Sequence, residues 1–202
     1  LKKKKLKKEK KVQENIKNYT YYGNKDNNNS LKKDFGIQIW ENGSKYCGYF
    51  KNDKSNGFGK FIDNNNNCMA GNFFDDKLRG FGIYSCNNGT TYIGEWDNDL
   101  QDGIGIEYWK DGSVYEGQFN KGKKNGIGVY RWSNGTKYQG EWINNYMSGY
   151  GIYSFSNGTK IYYGEWDNNM MNGIGEFIWK NDKRYYIGFF KNDKRNGFGI
   201  FY

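Results

Sequence analysis

The sequence contains no histidine and no proline, and only three of its 202 residues are cysteine. Without histidine, neither a Ser-His-Asp or Cys-His pair nor an imidazole metal site can form from these residues. The cysteines, Cys47, Cys68 and Cys86, are odd in number and lack a Cys-x-x-Cys spacing. A disulfide ladder is therefore disfavoured, and a reducing compartment is favoured. We predict no catalytic residue, no metal site and no cofactor, and we expect the protein not to be an enzyme.

Long apolar stretches are also missing, and the mean hydropathy is −1.05. No segment approaches the roughly 20 apolar residues of a transmembrane helix, and the lysine-rich start lacks the apolar core of a signal peptide. A cytoplasmic location is the expectation. Disorder, the simplest interpretation of so polar a chain, is rejected because 20% of the residues are aromatic.

Positive charge is concentrated at the start of the chain. Residues 1–11 carry +7 of the formal net charge of +9. Their lysines are Lys2, Lys3, Lys4, Lys5, Lys7, Lys8, Lys10 and Lys11. We interpret residues 1–20 as a basic tail or linker; an anchor for an anionic membrane or other polyanion and a short partner helix are the alternatives. The nearly neutral remainder argues against a nucleic-acid partner.

What the sequence does contain is a repeat of 23 residues. Pairs of glycines in the pattern Gly-x-Gly recur at this spacing four times and then at 24 residues twice. They begin at Gly57, Gly80, Gly103, Gly126, Gly149, Gly173 and Gly197. A fixed period of this size predicts a stacked array of supersecondary units.

Within each unit, apolar residues alternate with a period of two, which predicts strands. In the clearest copy Tyr92, Gly94 and Trp96 share one face. Asn-Gly or Asp-Gly at 42–43, 88–89, 111–112, 134–135 and 157–158 is predicted to form the two-residue hairpin turn, and the other connection is predicted to be longer. The fold class is therefore all-β, a single-layer antiparallel β-meander of 23–24-residue hairpin repeats with about fourteen strands.

The chain is predicted to have three parts. Residues 1–20 are the basic tail, residues 21–45 a degenerate leading repeat, and residues 46–202 seven repeats of which the last is cut short. The chain begins at Leu1 and ends within a repeat at Tyr202, so we expect it to be a piece of a longer protein.

The glycines predict two different faces. Without a Cβ, glycine lets an aromatic ring lie flat on the backbone, whereas the residue between the two glycines points to the opposite face and is always apolar. One layer covers at most one face, so the second keeps an open apolar strip. The strip comprises Ile104, Ile127, Tyr150, Ile174 and Phe198. We expect it to bind a protein partner or a second copy in a homodimer.

Recurrent carboxylates have a structural explanation. Glu95, Glu141 and Glu165 occupy one position of the repeat. A catalytic pair needs two different environments that separate the pKa values of its members. We therefore expect these residues to pair with lysines along the strands.

The pattern Tyr-x-Gly-x-Trp, followed by Gly-x-Gly and an Asp-Gly turn, resembles the Membrane Occupation and Recognition Nexus (MORN) repeat. The resemblance is plain over residues 46–202 and loose over 21–45. Where the family often has histidine, this chain has Asn56, Arg79, Asp102, Asn125, Ser148, Asn172 and Asn196. A role that depends on an imidazole is therefore not expected.

The resemblance implies a groove-bearing β-meander with a scaffold or targeting role, in cytoskeletal or membrane-associated structures. The leading hypothesis is a non-enzymatic scaffold or adaptor whose aromatic groove binds a protein. The alternatives are a targeting or regulatory region of a larger enzyme, such as a phosphatidylinositol phosphate kinase, and a phosphoinositide-binding module. The predicted groove residues are Tyr92, Trp96, Tyr115, Trp132, Tyr138, Trp142, Tyr162 and Trp166. A purely structural role for these rings remains open at this point.

Overall fold

A computed structural model describes residues 18–28, 30–156 and 158–202. These residues form one antiparallel sheet of sixteen strands that are hydrogen-bonded in the order of the chain. The strands are β1 (Tyr19–Lys25), β2 (Lys32–Trp40), β3 (Lys45–Lys51), β4 (Lys54–Ile62), β5 (Cys68–Phe74), β6 (Lys77–Ser85), β7 (Thr91–Asp97), β8 (Leu100–Tyr108), β9 (Val114–Asn120), β10 (Lys123–Arg131), β11 (Lys137–Ile143), β12 (Tyr146–Ser154), β13 (Lys160–Asp167), β14 (Met170–Trp179), β15 (Arg184–Lys191) and β16 (Lys194–Phe201).

The predicted all-β meander is confirmed. Strands β3 to β16 supply two strands to each of seven repeats, and the β1–β2 hairpin precedes them. No helix that could span a membrane occurs in the part of the chain that the structure describes.

The prediction of the turns was wrong, because the two connections exchange roles. The two-residue turn lies inside the repeat, at Asn98-Asp99, where both φ angles are positive (50° and 66°), as a type I′ turn requires. The Asp-Gly connection is the longer one. There Trp109 and Ser113 are joined by a backbone hydrogen bond of 2.9 Å, and only Gly112 of the intervening residues has a positive φ.

The two glycines of each Gly-x-Gly have different roles. Between β9 and β10 the register shifts, since Gly117 pairs with Gly128 but Phe119 pairs with Lys124. The first glycine, Gly126, lies in this bulge with φ +99°. The side-chain oxygen of Gln118 fills the bulge and accepts a hydrogen bond of 2.7 Å from the Ile127 amide.

The recurrent glutamates have this same role, so their expected pairing with lysines was wrong. The Glu95 carboxylate accepts a hydrogen bond of 2.9 Å from the Ile104 amide, and Glu141 accepts one of 3.0 Å from the Tyr150 amide. A bulge leaves backbone amides without a partner strand, and the side-chain acceptor at this position satisfies one of them in the repeats of Glu95, Gln118 and Glu141.

The second glycine lies beneath a tyrosine ring. A Cβ built on Gly128 would lie 2.3 Å from the Tyr115 hydroxyl oxygen, and one on Gly117 would lie 2.5 Å from the Gly128 Cα. Only glycines opposite each other leave room for the ring. The ring is buried, and its hydroxyl donates a hydrogen bond of 3.0 Å to the Gln118 carbonyl.

Neighbouring repeats are also joined through their type I′ turns. The Asp76 amide donates to the Ser55 carbonyl over 3.0 Å, and the Ser55 amide donates to Asp76 Oδ1 over 2.7 Å. Asp99 makes the same pair of bonds with Leu78, and Asn145 makes it with Lys124. Each turn therefore fixes the start of the second strand of the preceding repeat.

Candidate binding face

Of the two faces of the sheet, the one that bears the Tyr-x-Gly-x-Trp rings is buried, and we call it the inner face. Tyr115, at its centre, contacts Phe119 of its own repeat and Trp142 of the next, both edge-on, with centroids 5.1 Å and 5.4 Å apart. The same arrangement recurs from Tyr46 to Tyr162. Edge-to-face packing is a favoured geometry of aromatic pairs, and here it forms the core of a protein with one layer.

The structure places the predicted groove residues together on this inner face. All of them except Trp132 are buried, and these seven are Tyr92, Trp96, Tyr115, Tyr138, Trp142, Tyr162 and Trp166. Their contacts hold the sheet together. Trp132 is half-buried and is the one member of the set whose ring remains partly exposed to solvent.

Burial also governs the titration of these tyrosines. Removal from water disfavours the phenolate, and burial raises the pKa of Tyr46 to about 12. Burial likewise raises the pKa of Tyr92, Tyr115, Tyr138 and Tyr162. These hydroxyls therefore remain protonated near neutral pH and act as hydrogen-bond donors within the sheet.

A second line of aromatic rings, of which the sequence analysis selected only Trp132, remains accessible on the inner face. Trp109 stacks on Tyr130 at 5.2 Å and 28°, Tyr130 contacts Trp132 at 4.5 Å, and Trp132 contacts Tyr153 at 5.7 Å. The chain of contacts continues to the last strand. We call it the aromatic ledge, and it comprises Trp109, Tyr130, Trp132, Tyr153, Phe155, Phe177, Trp179 and Phe201.

A signal for the ledge exists in the sequence. Its members occupy the fourth or sixth position after the first glycine of Gly-x-Gly, as Tyr130 and Trp132 do after Gly126. Seven of the eight are half-buried and Phe201 is exposed. The ledge therefore offers ring faces and edges that the sheet itself does not cover.

Beside the tyrosines runs a row whose residue type changes from repeat to repeat. Each member of the last seven pairs directly opposite the Trp or Phe of its own repeat and so lies on the inner face. The variable row is Lys32, Ser55, Leu78, Gln101, Lys124, Met147, Met171 and Arg195.

One member of the variable row compensates for a missing tyrosine. The repeat that begins at Met69 has no tyrosine over its glycines, and Leu78 is completely buried there. Its two methyl carbons lie 3.0 Å from the Cβ positions built on Gly71 and Gly82. An aliphatic side chain thus takes the place of the ring, which explains how the weakest repeat keeps its register.

The outer face bears the predicted apolar strip. Ile104, Ile127, Tyr150 and Ile174 are all exposed, and Phe198 on the last strand is 90% exposed. They form a row of separate side chains across the sheet rather than a cavity. Whether this strip is an interface stays a prediction.

The remaining predictions concern the basic tail, the cysteines and metal binding. The lysines of the basic tail lie outside the described residues. Cys47, Cys68 and Cys86 are free thiols. Within the described ranges, no group of three or more His, Cys, Asp or Glu residues is placed to hold a metal ion.

The MORN repeat family model matches seven successive segments of the chain: 46–68, 70–91, 92–114, 115–137, 138–160, 162–184 and 186–202. The chain belongs to the MORN repeat family. The matched segments start at or next to the Tyr-x-Gly openings, so the family's unit coincides with the hairpin seen in the structure.

The chain also resembles domains of solved structures, at low sequence identity. The chain is similar to the TCP domain of SAS-4 (dCPAP) from Drosophila melanogaster, solved in complex with a proline-rich motif of Ana2 (dSTIL). The identity is 15%, the TM-score is 0.44, and the match covers 72% of this chain and 77% of that one. It is also similar to the TCP10 domain of Danio rerio CPAP, at 12% identity, with a TM-score of 0.26 and coverage of 80% and 85%. No curated protein sequence matches this chain.

Proposed function

We propose that this MORN array is a non-enzymatic scaffold that binds a protein partner along its inner face, with the aromatic ledge as the main contact. The continuous ledge supports the proposal, because its half-buried rings run across many repeats and the sheet has only one layer. Aromatic side chains supply much of the binding energy at protein interfaces. A line of repeated rings suits an extended segment of a partner better than a compact ligand.

Variants that remove ledge rings without removing core rings test the proposal. Trp132→Ala truncates the ledge, and Ile127→Ala truncates the outer strip five residues earlier in the chain, on the opposite face. Partners are captured from cell extract with the wild-type array and both variants at equal concentration and are quantified by mass spectrometry. We expect a defined partner to be lost with Trp132→Ala and retained with Ile127→Ala.

The opposite result would move the partner site to the outer strip. Thermal unfolding of the Trp132→Ala variant, followed by circular dichroism, is the control for folding. If the variant melts at a much lower temperature, Trp179→Ala near the end of the ledge replaces it. Retention of every partner by both ledge variants would contradict the proposal.

The composition supports a second contact, with an anionic membrane through the basic tail, in a cytoplasmic protein that works at membrane or cytoskeletal structures. Each lysine near an anionic surface contributes about 1 kcal/mol, screened by salt. Deletion of residues 1–11 is expected to abolish most binding to phosphatidylserine vesicles in cosedimentation. Binding that survives the deletion and does not depend on salt would place the lipid site in the array instead.

A further inference from the structure

One repeat of the array holds the ammonium group of a lysine in an aromatic cage. Lys124, a member of the variable row, has a side chain that is only 14% exposed. Its Nζ lies 4.8 Å from the ring centroid of Trp109, 5.2 Å from that of Tyr115 and 5.9 Å from that of Tyr130. Glu107 Oε2 lies 3.3 Å from the same nitrogen. Ring faces attract cations, so this inner-face position suits an alkylammonium group.

Three repeats earlier, the ring positions of this cage recur without its lysine, and Gln38 stands at the position of Glu107. The three rings recur as Trp40, Tyr46 and Phe61, and the residue at the position of Lys124 is Ser55. Trp40 contacts Phe61 edge-on, with centroids 5.7 Å apart and an interplanar angle of 77°, whereas Trp109 and Tyr130 stack at 5.2 Å and 28° beside Lys124. The three rings are therefore present without an ammonium between them, and the Ser55 side chain, which is much shorter than that of lysine, hydrogen-bonds to Tyr46.

The space that serine leaves is a cavity of about 520 Å³ on the inner face, which we call the Ser55 cavity. Among the described residues that line it are the three rings and three carboxylates, those of Asp53, Asp76 and Asp99. The carboxylates belong to the two-residue turns, each of which lies inside one repeat and is hydrogen-bonded to the repeat before it. Asp76 Oδ1 is held by the Ser55 amide and Asp99 Oδ1 by the Leu78 amide, so their positions are fixed before anything binds.

Lys32 is the single cation in that lining. Its Nζ already lies over the ring of Tyr19, at 4.7 Å, and over that of Phe50, at 5.0 Å, and donates a hydrogen bond to Gln38 Oε1. The carboxylates of Asp76 and Asp99 already outnumber this one ammonium, so the lining keeps a negative formal charge. Charge and aromatic rings together favour a second cation.

We propose that the Ser55 cavity binds the side chain of a lysine presented by a partner protein. The butyl stem lies against Trp40 and Phe61, and the ammonium takes the place that Lys124 Nζ takes in its own repeat. The biological partner rests on the proposed function of the inner face, whereas the chemistry of the cavity can be tested without it.

The test uses n-butylammonium chloride as the probe, because it reproduces the stem and charge of a lysine side chain. The indole N–H resonance of Trp40, assigned by its loss in Trp40→Phe, is followed in the full chain during a titration at constant ionic strength. We expect saturable shifts with a Kd on the order of 10 mM, typical of a ligand with so few atoms. The neutral probe 1-butanol is expected to bind at least tenfold more weakly.

Two variants exchange the occupied and the empty cage. Ser55→Lys places the chain's own ammonium in the cavity and is expected to abolish the response of Trp40 to the probe. Lys124→Ser empties the second cage and is expected to make the Trp109 indole respond, although it does not respond in the wild type. If Ser55→Lys fails to fold, Lys124→Ser decides alone.

Three outcomes would overturn the proposal: no response of Trp40 at 100 mM probe, equal binding of 1-butanol, or undiminished binding to a folded Ser55→Lys variant. Equal binding of the alcohol would make the cavity a site for neutral apolar groups. These outcomes are separable from failure of the proposed function. A negative titration alongside ledge-dependent capture of a partner overturns the lysine site alone, and a positive titration without any ledge-dependent partner overturns the scaffold role alone.

Discussion

Both faces of this sheet carry apolar side chains, but only the inner face buries them. Tyr138 on β11 is 0% exposed on the inner face, whereas Ile127 on the neighbouring strand is 58% exposed on the outer face. No second layer covers either face within the described residues, since all the strands belong to one sheet. What differs is the surroundings of each side chain. Tyr138 lies over Gly140 and Gly151, while Ile127 stands opposite Glu141 in the register.

A sheet with one layer can therefore form a core on one of its faces. An aromatic ring packs flat on the backbone where glycines of two strands face each other. The aromatic ring of the next repeat then covers its edge. The core is therefore linear, and its stability comes from contacts within and between adjacent repeats. The apolar side chains of the outer strip stay exposed and take no part in this core.

The largest expected effect follows from truncating one side chain on each face. Tyr138→Ala is expected to destabilise the array by about 3–5 kcal/mol, as for large aromatic residues in cores. Ile127→Ala is expected to remain within about 0.5 kcal/mol, as for surface substitutions. Urea unfolding followed by tryptophan fluorescence measures both. Similar losses for the two variants would contradict the assignment of the core to the inner face.

A double-mutant cycle separates the two glycines, with smaller effects. Gly128→Ala is expected to cost about 2–3 kcal/mol because the new methyl group strikes the Tyr115 ring. Gly126→Ala is expected to cost about 1–2 kcal/mol because its positive φ disfavours any side chain.

The background variant Tyr115→Ala distinguishes these causes. Without the ring, the additional loss from Gly128→Ala should fall below about 0.5 kcal/mol, whereas the loss from Gly126→Ala should persist. The measurement is again urea unfolding. If the removal of the Tyr115 ring reduced the loss of stability equally for Gly126→Ala and Gly128→Ala, both glycines would be needed for the same reason.

Much of this architecture could be predicted from the sequence, because the period of two and the period of 23 residues are local patterns. The turns could not. Asn-Gly and Asp-Gly suit a type I′ turn, but they also suit a three-residue loop in which glycine alone has positive φ, as Gly112 does here. The choice depends on which residues face each other across the hairpin. The two strands of a repeat pair with a bulge that the amino-acid letters do not mark.

The site was predictable only in part, for a related reason. The period of two places the side chains of Tyr138 and Trp132 on the same face. It does not predict that neighbouring repeats cover Tyr138, whereas Trp132 lies at the margin. Burial in a stacked array depends on the residue opposite and on the next repeat. The Ser55 cavity depends on both, since it requires a small residue in one row and a complete set of rings around it.

Raised tyrosine pKa values predict a loss of stability in alkali, which for Tyr46 amounts to about 3 kcal/mol in full and to about 2 kcal/mol by pH 12. Burial raises its pKa from 10.0 to about 12, and one unit corresponds to about 1.4 kcal/mol. Because the folded state favours the neutral phenol, this stability is complete below pH 10 and is lost as the pH rises from 10 through 12.

The variant Tyr46→Phe keeps the ring and removes the titrating group. Its stability relative to the wild type should therefore increase by up to about 2 kcal/mol between pH 9 and pH 12, as measured by urea unfolding at each pH. Tyr22→Phe, on an exposed ring, is the control and should show no such increase. A constant difference between wild type and Tyr46→Phe across this range would refute the role of burial.

The smallest effect on folding, and the one that most directly concerns the outer face, is expected for charged substitutions in the apolar strip. Ile127→Lys should change stability by no more than about 0.5 kcal/mol, because the side chain is already exposed. Open apolar strips and unpaired strand edges favour association, and two-fold dimers are the commonest arrangement of identical chains. We therefore expect the wild-type array to be a homodimer at micromolar concentration, and Ile127→Lys to weaken the dimer at least tenfold.

Light scattering coupled to gel filtration measures this directly, since the monomer has a mass of 23.7 kDa. The control is Lys123→Glu at the start of β10, which changes charge without touching the strip and should leave the dimer intact. Gln118→Lys would be a poor control: Gln118 lies directly opposite Ile104 on the adjacent strand, and its substitution also opens the bulge. A wild-type mass that remains near the monomer value across a hundredfold dilution would remove self-association through this face. In that case the strip, which folding does not need, would be available only to a different protein.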